Sequence, residues 1–122
     1  MIVVGFGFTT SATADSFAQA LEATGYRGPI DRVATPTDKA ASTAFVQFAT
    51  ARAVPVAPVA ATDLEAVETP TRSETSTRHR GTGSVAEAAA LAAAGTGATL
   101  LIPRQISTDR MATCAVAQGP NP

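Results

Sequence analysis

The sequence predicts a single-domain α/β protein, a three-layer α/β/α arrangement built on a mixed, mostly parallel sheet of about five strands. Three observations lead there. The run Ile2 to Phe8 is continuously apolar, with glycine at Gly5 and Gly7, and suits a strand buried on both faces. Behind it, stretches of helical period alternate with short strand-like runs. With 122 residues and a hydrophobic fraction of 45%, the chain fits one compact domain that buries roughly two-thirds of its unfolded surface.

The first strand should sit centrally. The polar stretch Thr9 to Thr13 then leads into a helix over Ala14 to Thr24, where Ala14, Phe17, Ala18 and Leu21 share a face and Gly25 supplies a stop. Ile30 to Thr35 reads as a second strand ended by Pro36. Asp38 to Arg52 places Ala41, Ala44, Phe45, Phe48 and Ala49 on one helical face. Val54 to Val59 is a short third strand, restricted by Pro55 and Pro58 to an edge or to strand ends, because proline cannot donate to a ladder. Thr62 and Glu65 have capping-box spacing before a brief helix near Leu64 to Val67.

Residues 68–83 have no hydrophobic period and are rich in Thr, Ser, Arg and Glu, which predicts an exposed loop bearing a basic cluster, Arg72, Arg78, His79 and Arg80. Ser84 and Glu87 repeat the capping-box spacing before a helix that is nearly apolar all round, must be well buried, and ends at Gly95. Thr99 to Ile102 is a strand, Pro103 to Arg110 a polar connection, and Met111 to Ala117 a final strand before a tail at 118–122 expected to fray. Much of the apolar content is alanine, so the core should be anchored by Phe6, Phe17, Leu21, Phe45, Phe48, Leu91, Leu100 and Leu101.

Net charge is −1 and the cations form no long run, which disfavours nucleic acid as a partner. The longest nearly uncharged stretch, Val85 to Ile102, is interrupted by Glu87, Gly95 and Gly97 and cannot span a bilayer, and no secretory signal is visible. The expected compartment is the cytoplasm. One cysteine, Cys114, excludes an internal disulfide, and with His79 as the single histidine no His- or Cys-rich zinc site can form. No cofactor is implied, and a metal would have to arrive with a ligand.

Two places offer backbone N–H groups to an anion: the turn Gly7 to Thr13, and Gly81 to Glu87, each opening a helix. Gly5-Phe6-Gly7 begins like a dinucleotide fingerprint, but Thr10 replaces the third glycine, so the glycines read instead as relief of crowding in a central strand. A nucleophilic triad is disfavoured because His79 lies in the polar loop, and Cys114, within an apolar strand, reads as a buried structural thiol. Glu87 is the one candidate catalytic carboxylate, with helix capping as its plainer role. Lys39, Arg104 and Arg110 fall beside predicted strand ends, the rim where open α/β sheets bind ligands. With the two helix N-termini they suggest a site for a ligand bearing several carboxylates or phosphates.

The run Gly81-Thr82-Gly83-Ser84-Val85-Ala86-Glu87-Ala88-Ala89-Ala90-Leu91 resembles the helix-opening motif of the CobE family and the CbiG C-terminal domain. The resemblance continues in Val4-Gly5-Phe6-Gly7, in Ser11 to Asp15, in Ala34-Thr35 with Lys39 four residues later, and in Arg110 to Ala117. It implies an α/β/α domain acting on the corrin branch of tetrapyrrole synthesis, whose intermediates carry many acetate and propionate carboxylates. CbiG-type proteins open a ring lactone and release acetaldehyde, whereas CobE-type proteins are short and separate, and this chain has the CobE length. The family turn after the first strand reads G-x-G-C-R or similar, while Phe8 and Thr9 stand here at the Cys-Arg positions.

Three functional readings follow from the residues and the resemblance together. The first is binding of a corrin or precorrin intermediate, its carboxylates framed by Gly7, Thr9, Thr10, Ser11, Lys39, Gly83, Ser84 and Arg104. The second is a hydrolase or isomerase of the same pathway using Glu87 or another carboxylate. The third is an adaptor that docks on other cobalamin-pathway enzymes through an exposed apolar patch.

Overall fold

The computed structural model of the chain describes residues 1–69 and 84–120. A five-stranded sheet carries β1 (Ile2–Phe8), β2 (Arg32–Pro36), β3 (Val56–Val59), β4 (Thr99–Ile106) and β5 (Ala112–Gln118) in the spatial order β3-β2-β1-β5-β4. The pairs β1 with β2 and β2 with β3 are parallel, and β5 runs antiparallel to both β1 and β4, so four strands point one way. The expected mixed, mostly parallel sheet is therefore present, with β1 at its centre.

Side-chain alternation along β1 divides the core into two unlike halves. Val4 and Phe6 face α1 (Ala14–Thr24) and α3 (Thr43–Ala51), joining Phe17, Leu21, Phe45 and Phe48. The Phe6 ring meets Phe17, Phe45 and Phe48 edge-on at centroid distances of 5.6, 5.6 and 5.3 Å. On the opposite face, Val3 and Ala34 pack against α4 (Ala61–Glu65) and α5 (Val85–Ala94), a layer made almost wholly of alanine around Val59 and Leu64. Alanine lets α5 approach until its backbone touches the sheet. A Cβ at Gly5 would overlap the Ala86 carbonyl oxygen and lie 2.5 Å from Ala90 N, and one at Gly119 would overlap the Ala94 carbonyl oxygen.

Several local expectations need correction. The helix expected over Asp38 to Arg52 is two, α2 (Thr37–Ala40) and α3, separated at Ala41 and Ser42. Ala41, the first position of the expected apolar face, is exposed at the break, and the buried face is carried by Ala44, Phe45, Phe48 and Ala49 of α3 alone. β3 begins at Val56, later than Val54, and is an edge strand as its prolines require. α4 begins earlier than expected, with Ala60 at its N-cap and no side-chain cap, so Thr62 lies inside the helix. β4 continues through Pro103 to Ile106, with register shifts between Leu100 and Gln105. Because β4 is the other edge, proline is tolerated there. Leu101, expected in the core, is 44% exposed on that edge, and Leu91 and Leu100 are half-buried.

Of the expected loop 68–83, Glu68 is exposed and Thr69 is buried, and the remainder, including the Arg72, Arg78, His79 and Arg80 cluster, lies outside the described residues. At the chain's other end Gln118 closes β5, and the Gly119 N–H donates to the Met1 carbonyl at 2.8 Å, so pairing extends past the start of the expected tail. Residues 121–122 are outside the description.

Candidate functional site

From β1 the chain winds through α1 to β2 and on to β3, then crosses the alanine face and returns to the opposite edge as β4. This reversal puts the topological switch at β1, and open α/β sheets bind ligands beyond the carboxyl ends of the strands at that point. The carboxyl end of β1 is Gly7-Phe8, and a cavity of about 80 Å³ opens there, lined by Gly7, Phe8, Thr35, Pro36, Lys39 and Val85. A larger groove of about 500 Å³ adjoins it, lined by Phe8, Thr10, Asp38, Lys39, Ala41 and Ser42. Phe8 and Lys39 border both.

The position of these two side chains follows from the core beneath them. Phe8 is the last outward step of the aromatic cluster, stacked on Phe45 with centroids 5.5 Å apart and planes 13° from parallel, and meeting Phe17 edge-on at 4.7 Å. Lys39 lies in α2 directly after β2, and its ammonium sits 5.1 Å from the centre of the Phe8 ring, within cation–π range. Thr35, buried beneath them, donates through Oγ1 to the Phe6 carbonyl at 2.9 Å and ties β2 to β1 below the groove.

The structure gathers some of the residues expected from sequence and separates others. Gly7, Thr10 and Lys39 line the two cavities. Ser11 is exposed beside Thr10 in a turn closed by the Ala12 N–H donating to the Thr9 carbonyl at 3.1 Å. Thr9 turns towards β5: its N–H donates to the Met111 carbonyl at 2.9 Å and its hydroxyl to the Met111 sulfur at 3.4 Å. Ser84, next to groove-lining Val85, is buried and accepts from the Glu87 N–H at 3.3 Å as the N-cap of α5. Gly83 is outside the described residues. Arg104 lies within β4, so β1 and β5 separate it from Lys39.

Glu87 is fully buried, and its Oε2 accepts the Arg104 N–H at 2.8 Å. That amide falls in the irregular part of β4, where the ladder to β5 shifts register, and a buried carboxylate satisfies it. Glu87 is not among the residues lining either cavity at the β1 end. Cys114 is buried in β5, and burial pushes its thiol far above the ordinary range, so it is a poor nucleophile at neutral pH. Among the described residues no three His, Cys, Asp or Glu side chains gather to hold a metal ion.

The N-terminus of α1, expected to offer N–H groups to a ligand, is occupied by the protein itself. Thr13 and Ser16 form a reciprocal capping box, and the Ser16 hydroxyl donates to Asp109 Oδ2 at 2.7 Å. The Ser107 hydroxyl and the Met111 N–H donate to Asp109 Oδ1 at 2.6 and 3.0 Å. These bonds, with the Ser107 hydroxyl the largest contributor, hold the Asp109 carboxyl below its ordinary value of 3.8. A group depressed in the folded state stabilises the fold above its unfolded pKa, and this contribution is lost as pH falls through the lower folded value. Asp109→Asn should therefore lower Tm at neutral pH, and the gap from the native chain should narrow as thermal melts are repeated at increasingly acid pH. A gap constant with pH would rule the linkage out.

Sequence reasoning passed over Phe8, Thr35, Pro36 and Val85 as site residues. An aromatic at the final position of a central strand was the available signal for Phe8, and the strand-to-helix junction for Pro36.

The family described as cobalamin synthesis G C-terminus matches residues 2–117. Among solved structures, the chain is similar to CobE, a protein from the cobalamin (vitamin B12) biosynthetic pathway, with 31% identity over 96% of this chain and 89% of that one and a TM-score of 0.84. It is also similar to the cobalamin biosynthesis protein ChiG from Agrobacterium tumefaciens str. C58, with 34% identity over 99% and 100% of the two chains and a TM-score of 0.74. A cobalamin biosynthesis protein G homolog from Sulfolobus solfataricus shares the fold, at 20% identity and a TM-score of 0.71 over 98% of this chain and 37% of that one. No curated protein sequence matches the chain.

Proposed function

Because the chain belongs to the family described as cobalamin synthesis G C-terminus, we propose that the groove at the end of β1 binds a corrin-pathway intermediate through its peripheral carboxylates. The chain is a protein of cobalamin biosynthesis. The observation that carries the binding reading is the placement of Lys39 and the Phe8 ring together at the topological switch, bordering both cavities. An ammonium beside an aromatic ring offers a carboxylated macrocycle one group for its charge and one for its apolar face. The N-terminus of α5, where Ser84 caps the Glu87 N–H, lies beside the smaller cavity at Val85.

This reading needs no activated side chain. Glu87, the carboxylate that the sequence singles out for acid–base work, is engaged with the β4 backbone and absent from the groove lining. Binding is therefore favoured over turnover as the role of the described residues.

Titration with hydrogenobyrinic acid, a precorrin and a simple porphyrin, followed by macrocycle absorbance at low and high salt, tests the proposal. Selective corrinoid binding that weakens with salt is expected, since the contacts are charge-assisted and part-exposed. Lys39→Met should raise Kd for the corrinoid about tenfold, equivalent to about 1.4 kcal/mol. Absence of binding to all three would remove the ligand reading.

A further inference from the structure

We infer that Arg110 is a second carboxylate-binding residue, so that the corrin-pathway ligand lies along the end of the sheet from Lys39 to the turn between β4 and β5. This rests on the binding reading above and adds a contact from a residue that lines neither cavity at the β1 end. The first observation is backbone. The Arg110 N–H donates to the Ser107 carbonyl at 2.9 Å and closes the turn, and Arg110 itself stands in the left-handed region at φ 64°. A hairpin that ends its turn on a left-handed residue ordinarily takes glycine there, because a Cβ makes that conformation costly.

The second observation is that the fold makes no evident use of the side chain that carries this cost. Arg110 is exposed and forms no ion pair with any described residue. The neighbouring carboxylate, Asp109, is engaged by the Ser107 and Ser16 hydroxyls and by the Met111 N–H. The Asp109 N–H in turn donates to Gln19 Oε1 at 3.0 Å, so α1 pins the turn from both sides of Asp109 and the strained backbone is set before a ligand arrives.

The third observation is place. β5 runs antiparallel to β1 with Ala112 opposite Phe8, which brings the turn to the same end of the sheet as the groove. The Thr9 N–H donates to the Met111 carbonyl at 2.9 Å, so Phe8-Thr9 and Arg110-Met111 lie side by side. Lys39, over the Phe8 ring, and Arg110, next to Met111, therefore occupy one rim. Met111 and Ile106 at the base of the same hairpin are 36% and 37% exposed and offer apolar surface to the body of a macrocycle. A ligand with carboxylates spaced around its edge can meet both cations at once, and the planar fork of arginine suits the second.

Arg110→Gly separates a ligand role from a structural one, because glycine fits this backbone and only the side chain is lost. Hydrogenobyrinic acid is titrated against the native chain, Arg110→Gly, Arg110→Lys and Arg32→Gln, and each protein is melted by circular dichroism. Arg32, exposed at the start of β2 on the opposite end of the sheet, controls for the loss of one positive charge. The expected result is a Kd about tenfold higher for Arg110→Gly with Tm at or above the native value, an intermediate Kd for Arg110→Lys, and native affinity for Arg32→Gln. Native affinity in Arg110→Gly overturns the assignment while leaving the binding reading standing. Equal weakening by Arg32→Gln also overturns it, since the charge would then act at a distance. So does a Tm of Arg110→Gly clearly below native, which would make the side chain a support of the turn. If the native chain binds no hydrogenobyrinic acid, the binding reading falls and this inference with it.

Discussion

Gly5→Val is expected to yield no folded protein. The obstacle is backbone: even the first added carbon overlaps the Ala86 carbonyl oxygen and crowds Ala90 N, and neither atom can swing aside as a side chain would. Relief requires α5 to lift away from the sheet, which strips contacts from the whole alanine layer around Val59 and Leu64. A cost above about 4 kcal/mol is expected, a large share of the roughly 5–15 kcal/mol that holds a domain together. Soluble yield and the far-ultraviolet dichroism spectrum are the readouts. A soluble variant melting near the native temperature would mean that α5 is free to move off β1.

Phe6→Ala should be the most damaging truncation in the chain, costing about 3–5 kcal/mol. The residue is fully buried at the middle of the central strand and makes edge contacts to three other rings, so its removal leaves a cavity walled by rings that are themselves held by one another. Chemical denaturation gives the measurement: the midpoint should fall with the denaturant slope unchanged, because the surface exposed on unfolding is nearly the same. A loss below about 1 kcal/mol would show that Phe17, Phe45 and Phe48 close over the vacancy. The cluster also supports Phe8, so a folded Phe6→Ala chain should bind the proposed corrinoid less well.

The contrast between these two positions explains what the sequence makes legible. An unbroken apolar strand with phenylalanines at alternate positions declares a central buried element, and Phe17, Leu21, Phe45 and Phe48 recur at helical spacing; all are in the core. The all-apolar character of α5 likewise predicts its burial. Periodicity was silent where tertiary contacts decide. Ser42, the N-cap of α3, is the only local mark of the break between α2 and α3 and forms no side-chain cap, and nothing near Pro103 reveals that β4 continues through it on a free edge with Arg104 N–H satisfied from α5.

The site was legible in part for the same reason. Lys39, which lines both cavities, follows from the rule of local sequence that places rim cations after strand ends. Arg104 was drawn in by the same rule applied to a strand end set four residues too early. Thr9 was grouped with its neighbours, but its pairing to Met111, 102 residues away in the chain, turns it towards β5. That the Ser16 hydroxyl at the start of α1 is held by Asp109 depends on a contact across 93 residues, which no spacing rule contains.

The backbone bond between Gly119 and Met1 has a practical meaning for anyone handling this domain. Both points of entry and exit lie side by side at the start of β1, while Phe8 and Lys39 stand at its far end. A fluorescent reporter, a surface tether or a second protein fused at either point emerges on the side away from the groove. A short linker from Gly119 to Met1 would close the described strands into a ring on the side away from the groove.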